Sequence, residues 1–307
     1  MPGEPIRDRP DVLVLGVGGT LGEAWLRGVL SGLESASDID FRDCEYFVGS
    51  SAGSIVAATL AAGRRPQAGD RAARAWGEAA PQAAEEPGLL GRAARAAGRL
   101  GVAATSPLAP VALAGVAPAG RALRAAALAA GPSGTRRMDG LGRQIKAFGS
   151  RFDGRLRVSA VDRRSGRRVM FGAPGAPRAS VADAVLASCA VPWLFAPVRI
   201  GDREYVDGGV WSPTNLDAAP ARRGTRVLCL VPTAALGSGR GALGVLRAFS
   251  TSALAAETLA LRARGAEVHT IVPDAASAAV MGMNLMDPRN REAVLDAAFA
   301  QGRARGV

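Results

Sequence analysis

Ser51 sits at the middle of Gly49-Ser50-Ser51-Ala52-Gly53, where the apolar run Tyr46-Phe47-Val48 gives way to an alanine-rich stretch. This is the G-x-S-x-G pattern of a serine nucleophile on a strand-to-helix elbow. Small residues at Gly49, Ala52 and Gly53 let the chain turn sharply and lift the hydroxyl out of the backbone. The amides that open the following helix, beginning with Ala52, can face the oxyanion formed when Ser51 attacks a carbonyl. Ser50 and Ser54 are competing hydroxyls, but only Ser51 has glycine two residues away on both sides, so the other two read as structural. A serine nucleophile needs a base, most often histidine. The single histidine, His269, lies inside the strand-like run Glu267-Val268-His269-Thr270-Ile271-Val272, where a structural role is the commoner one. A carboxylate is the alternative. Asp207 ends a strand-like run and precedes Gly208-Gly209, which allow close backbone approach and an exposed side chain.

These groups act together only if the fold gathers them. Asp11 to Leu15 reads as a buried parallel strand, and Gly16-Val17-Gly18-Gly19-Thr20-Leu21-Gly22 turns it into a helix running to about Ser35. Glu45 to Val48 predicts a second strand. Ile55 to Ala62 continues the helix after the elbow until Gly63-Arg64-Arg65-Pro66 stops it. In a parallel sheet both glycine-rich turns emerge at the carboxyl ends of their strands, where open α/β sheets place their sites. Further strands are predicted over Arg155 to Val161, Arg168 to Phe171, Arg203 to Val206, Arg226 to Leu230 and Glu267 to Val272. Helices are predicted over Val181 to Ser188 and from about Leu243 to Arg264. The expected organisation is a single α/β domain over residues 11–307, an N-terminal tail over 1–10, and a helical cap or insertion over 67–137. That insertion is rich in Ala, Arg, Gly and Pro and has no strand pattern.

From Pro87 to Met138 the insertion carries seven arginines (Arg92, Arg95, Arg99, Arg121, Arg124, Arg136, Arg137) and no acidic residue, interleaved with Leu and Ala. Such helices suit an anionic lipid surface, and the plainer reading is a solvated arginine-rich face. Leu100 to Gly120 is uncharged and about long enough to span a bilayer, but Pro107, Pro110 and Pro118 interrupt it, so it reads as cap or interfacial structure.

A chain of 307 residues with 48% hydrophobic content can bury a substantial core. Its net charge of +11 is almost wholly arginine, Lys146 being the sole lysine. Arg, Ala and Gly all have GC-rich codons, so the charge is weak evidence for nucleic acid, and 5% aromatic content argues against base-stacking platforms. No nucleic-acid partner is expected. Cys44, Cys189 and Cys229 are too few and too far apart for a zinc site or a disulfide framework, so neither metal nor cofactor is expected and a reducing interior fits best. Met1 to Pro10 has charges of both signs and no apolar core of a signal peptide. The expected location is cytoplasmic, with peripheral contact at the inner face of an anionic membrane.

A glycine-rich first turn, G-x-S-x-G in the second βα unit and a later Asp-Gly-Gly, in this order, resemble the patatin-like phospholipases. Ala187-Ser188-Cys189-Ala190-Val191-Pro192, Tyr205-Val206-Asp207-Gly208-Gly209-Val210 and Ser212-Pro213-Thr214-Asn215 resemble bacterial members. The resemblance runs from about Asp11 to Asp217. It implies a three-layer α/β/α fold with a mainly parallel central sheet, and a metal-free Ser–Asp dyad in which Asp207 deprotonates Ser51. It also implies an acyl-enzyme on Ser51 and a lipid or other acyl ester as substrate. It places the oxyanion on the amides of Gly18 and Gly19, with Val17 a further candidate. Gly16, Gly22, Gly49, Gly53, Gly208 and Gly209 support the turns. Family turns commonly carry Arg or Lys where this chain has Leu21, which weakens any phosphate-binding role; Arg27, on the same helix, is a candidate substitute.

Three rival readings remain at this level. An α/β-hydrolase-like esterase would use Ser51, Asp207 and His269, but such folds place several strands before the elbow, and here one βα unit precedes it. Nucleotide binding would use Gly16-x-Gly18-x-x-x-Gly22 with Asp38 or Asp40, although these acids precede the second strand instead of ending it. The third is a non-catalytic membrane-associated protein retaining the fold.

Overall fold

The computed structural model describes residues 6, 8–66, 117–130, 134–235 and 242–306. β1 (Val12–Leu15) leads through the glycine-rich turn into α1 (Gly19–Ala36), and β2 (Tyr46–Gly49) leads through Ser50 and Ser51 into α2 (Ala52–Ala61). After α3 (Ala117–Ala130) and α4 (Asp139–Ala147) come β3 (Leu156–Asp162), β4 (Arg168–Phe171), α5 (Val181–Cys189), β5 (Val198–Ile200) and β6 (Arg203–Asp207). The remaining elements are β7 (Arg226–Leu230), α6 (Ala242–Ala263), β8 (Glu267–Ile271), α7 (Ala275–Met281) and α8 (Arg291–Arg305).

The strands pair in the order β5-β6-β3-β2-β1-β7-β8, with β4 also on β3. β1, β2, β3, β7 and β8 run parallel; β4 and β6 are antiparallel to β3, and β5 to β6. Side chains alternate across a strand, and β1 shows where they go. Leu13 and Leu15 enter a core with Leu26 of α1, Ile55 of α2 and Val185 of α5, while Val12 and Val14 enter a second with Leu216 and Leu261 of α6. A sheet buried on both faces is the middle of three layers. The fold is thus the expected α/β/α with a mostly parallel sheet.

β3 decides where the site forms. Val158 pairs with both Gly49 of β2 and Phe171 of β4, and Ala160 pairs with both Val169 of β4 and Asp207 of β6. One residue can serve two strands only from opposite edges, so β2 and β6 share the edge that β4 leaves open. β2 covers its first half and β6 its second, running the other way. Their carboxyl ends meet two residues apart along β3, at roughly 7 Å for extended chain.

β5, α4, α7 and α8 fall where the sequence predicts no element. α8 matters most, because it lies along α1 at backbone contact. A Cβ on Gly32 would stand 2.2 Å from the Phe299 carbonyl oxygen, and one on Gly302 the same distance from that of Val29. Trp25 Nε1 of α1 donates to Gln301 Oε1 at 2.9 Å, and Gln301 Nε2 donates to the Val272 carbonyl at 2.7 Å.

Of the segment 67–137, only 117–130 and 134–137 are among the described residues, and residues 100–116 of the uncharged run lie outside them. Arg124 departs from the lipid-facing reading. It is buried, donates to the carbonyls of Val210 (3.2 Å) and Gly166 (2.9 Å), and stacks 4.4 Å over Trp211. α3 is therefore clasped to the loop after β6, because carbonyls and an indole face offer this guanidinium more than solvent does. No helix among the described residues is long and apolar enough to cross a membrane. Gly32→Ala should lower stability by about 1–3 kcal/mol through overpacking. A thermal melt of the variant, with a fall of several degrees, checks this.

Candidate active site

Ser51 caps the start of α2 with φ 49° and ψ −121°, a left-handed backbone for a residue with a side chain. Such strain persists only where surroundings fix it. Here the Ser51 amide donates to Ser188 Oγ (2.8 Å), the Ser54 hydroxyl and amide both donate to the Ser51 carbonyl (2.6 and 2.8 Å), and Gly53 N–H donates to the Ser50 carbonyl (2.9 Å). Gly49 ends β2, one residue beyond the strand expected over Glu45 to Val48. Gly53 lies against the end of β1, where a Cβ would stand 2.0 Å from the Leu15 carbonyl oxygen, so the elbow is pressed onto the first glycine-rich turn.

The third turn closes on the other two. Gly208 and Gly209 open a 3-10 turn after β6, and a Cβ on Gly209 would touch Val17 of the first turn at 2.9 Å. Asp207 is 5% exposed, lies beside the Ser51 side chain and accepts from the Gly209 amide at 2.7 Å. Burial pushes its carboxyl up to about 6, against the downward pull of those two groups. The three glycine-rich turns lie against one another.

In the first turn, Gly16 N–H donates to the Leu230 carbonyl (3.0 Å) and Val17 N–H to that of Pro213 (2.9 Å). Leu21 N–H goes to Leu285 (2.9 Å) and Gly22 N–H to Gly18 (2.9 Å). Val17 is thus removed as an oxyanion donor, its amide being spent on the chain itself. Arg27 does not replace the basic residue missing at Leu21: it is wholly buried, paired with Glu23 and 3.4 Å from Thr59 Oγ1, between α1 and α2. Nor does the turn suit a pyrophosphate. A Cβ on Gly18 would meet Pro232 at 2.8 Å, and one on Gly19 would meet Met286 Sδ at 2.6 Å, so the protein's own side chains fill the space the glycines leave.

His269 is far from Ser51. It pairs with Leu228, which pairs with Leu13, which pairs with Phe47, so it lies mid-strand three strand spacings from β2, about 14 Å away. The three cysteines are free and buried, and burial raises each thiol above its ordinary value, Cys44 to about 12. Among the described residues no three His, Cys, Asp or Glu side chains gather as a metal-binding group. Ser188, Leu285 and Met286 have site contacts that the motifs did not reveal. Ser188 stood in the quoted Ala187-Ser188-Cys189 block, but the Leu285-Met286 loop has no local signal, since its partner lies some 260 residues away in sequence.

A strained serine between a parallel strand and a helix, with a buried carboxyl beside it, is the kind of arrangement found in acyl-transfer hydrolases. The model of the patatin-like phospholipases matches residues 13–220, and the chain belongs to that family, whose members are lipid acyl hydrolases. Among solved structures it is similar to VipD from Legionella pneumophila, at 16% identity and a TM-score of 0.38 over 74% of this chain and 52% of that one. The chain thus spans about half the length of that protein. No curated protein matches it. His269→Ala should keep ester hydrolysis within about threefold of wild type, as a strand residue remote from Ser51. A p-nitrophenyl ester assay checks this.

Proposed function

We propose that this protein hydrolyses a lipid acyl ester through a Ser–Asp dyad, with Ser51 as nucleophile and Asp207 as general base. The observation that carries the reading is the meeting of β2 and β6 on one edge of β3, which sets the elbow serine beside a buried carboxyl whose affinity for a proton has risen to about 6. Ser51 Oγ attacks the ester carbonyl as its proton passes to Asp207. The oxyanion faces the amides of Gly18, Gly19 and Ala52, each worth several kcal/mol at about 3–4 per donor. The alkoxide leaves with the proton from Asp207, and an acyl group remains on Ser51. Asp207 then deprotonates water, which attacks the acyl-enzyme; the acid departs and Ser51 recovers its proton. No metal or cofactor enters the sequence of steps.

Phospholipid, lysophospholipid, triglyceride and other acyl esters all suit this chemistry. The arginine-rich residues 67–137 form the proposed contact with an anionic membrane, at its inner face, with Arg136 and Arg137 exposed and Arg124 excluded by its burial. Hydrolysis should then be faster on anionic vesicles than on soluble short-chain esters, and should fall with salt. Equal rates on both, independent of salt, would remove the membrane contact.

Ser51→Ala and Asp207→Asn should each lower kcat by about 10³-fold or more, and a fluorophosphonate should label Ser51, read by peptide mass spectrometry. The base works only when ionised, so kcat/KM should fall about tenfold per unit below pH 6. Stability carries the same signature. The folded carboxyl holds its proton up to about 6, whereas an unfolded Asp loses it near 4. The stabilisation present below pH 4 is therefore lost as pH rises to 6. Asp207→Asn should raise the melting temperature at pH 7.5, by up to about 3 kcal/mol in stability, and leave it unchanged at pH 3.5.

A further inference from the structure

One side chain touches the neighbours of both Ser51 and Asp207. Asn215 Nδ2 lies 3.0 Å from Ser50 Oγ, 3.3 Å from the Gly208 carbonyl oxygen, 2.7 Å from the Ser212 carbonyl oxygen and 3.4 Å from Ser159 Oγ. Ser50 precedes Ser51 and Gly208 follows Asp207, so a single amide group spans the two turns where β2 and β6 meet on β3. Ser50 Oγ and Ser159 Oγ are themselves 2.6 Å apart, which ties the cluster to the middle of β3. The orientation of the amide is dictated: Arg168 Nη1 lies 3.2 Å from Asn215 Oδ1, and a guanidinium can only donate, so the NH₂ end must face the acceptors. Arg168 is in turn held by both oxygens of Asp217, at 2.5 and 2.8 Å. Glu257 of α6 grips the flanking residues, accepting from Thr214 Oγ1 and from the Leu216 amide (2.7 Å). Between them Asn215 holds a left-handed backbone, φ 50°, which asparagine tolerates better than most residues.

We infer that Asn215 is a positioning residue for the acyl-transfer reaction, pinning Ser50 and Gly208 so that the hydroxyl of Ser51 and the carboxyl of Asp207 stay in register; this rests on the Ser–Asp reading of the site. Asn215 touches neither reacting atom, and its effect passes through the two backbone segments it joins. The groups facing Asp207 itself are Ser51 at the start of α2, Cys189 of α5 and the Gly209 amide. The Arg168–Asp217 pair reaches it through Asn215, and Glu257 through Thr214 and Leu216.

Asn215→Asp keeps the size, the tolerance for left-handed backbone and the acceptor for Arg168. It replaces the NH₂ donors by oxygen against the Gly208 and Ser212 carbonyls and adds a negative charge beside Gly208, the residue that follows Asp207. Hydrolysis of p-nitrophenyl butyrate should show kcat lower by about 30-fold, KM within about threefold, and an acid limb displaced upward by about one pH unit. The ¹³C-carboxyl titration of Asp207 should move the same way. Arg168→Gln leaves Asn215 in place but frees its amide to flip, and should lower kcat by about three- to tenfold without altering KM; it carries the test if Asn215→Asp fails to fold. Unchanged kcat together with an unmoved Asp207 titration would overturn the assignment. If the Ser–Asp reading were wrong, Ser51→Ala would retain full activity, while the Asp207 titration would still register whether Asn215 sets the environment of that carboxyl.

Discussion

The site depends on two strands ending head to head on one edge of β3. β2 delivers Ser51 and β6, running the opposite way, delivers Asp207; β4 on the far edge leaves them only that one to share. This arrangement converts residues 156 positions apart in sequence into neighbours without a loop having to carry either of them. It also puts the carboxyl where water cannot reach it freely, and desolvation then sets its proton affinity. Groups held at strand ends are more exactly placed than groups on loops, which suits a reaction that tolerates little misalignment.

The rest of the fold holds those strand ends still. The sheet is packed on both faces, and α1, which begins in the first turn, is bound along its length to α8 by glycine-mediated contact. Between α1, α2 and α8 lies a buried cluster in which Glu23, wholly buried, pairs with Arg27 and with Arg291 at 2.9 Å. Burial alone would raise the Glu23 carboxyl, yet the two guanidinium groups together pull it below its ordinary value. Breaking one partner of such a cluster is costly, whereas replacing the whole of it by apolar groups need not be. It joins the first residue of α8 to the helix that leads out of the glycine-rich turn.

Much of this was legible in the sequence where the signal is local. The runs at Arg168 to Phe171 and Arg226 to Leu230 match β4 and β7 residue for residue, and the three glycine-bearing turns marked where strands end. What was not legible is long-range. β5 has three residues and no alternation to see, and α8 is recognisable as important only once Gly32 and Gly302 are known to face each other. Arg124 looked like part of a basic face because sequence shows its charge but not the carbonyls of Val210 and Gly166 that receive it. Asn215 was visible as part of a motif, but nothing in a motif says that one amide reaches both Ser50 and Gly208.

The scarcity of histidine in this chain has a physical counterpart. An imidazole is the usual base for serine because its ordinary value, about 6.5, lies near neutral pH. An exposed aspartate, about 2.6 units lower, would be a much weaker base for the Ser51 proton. Burial brings Asp207 to about 6, within reach of an unperturbed imidazole. A triad also needs a third group to orient its histidine; a carboxyl on the last residue of a strand takes its direction from the strand and accepts from the Gly209 amide on one oxygen. In the proposed reaction, desolvation therefore supplies the base strength and strand geometry supplies the alignment that a histidine and its partner would otherwise provide. The same burial makes the ionised site the less stable one, so the tether of Asn215 and the strained elbow at Ser51 have to be supported by packing elsewhere in the fold.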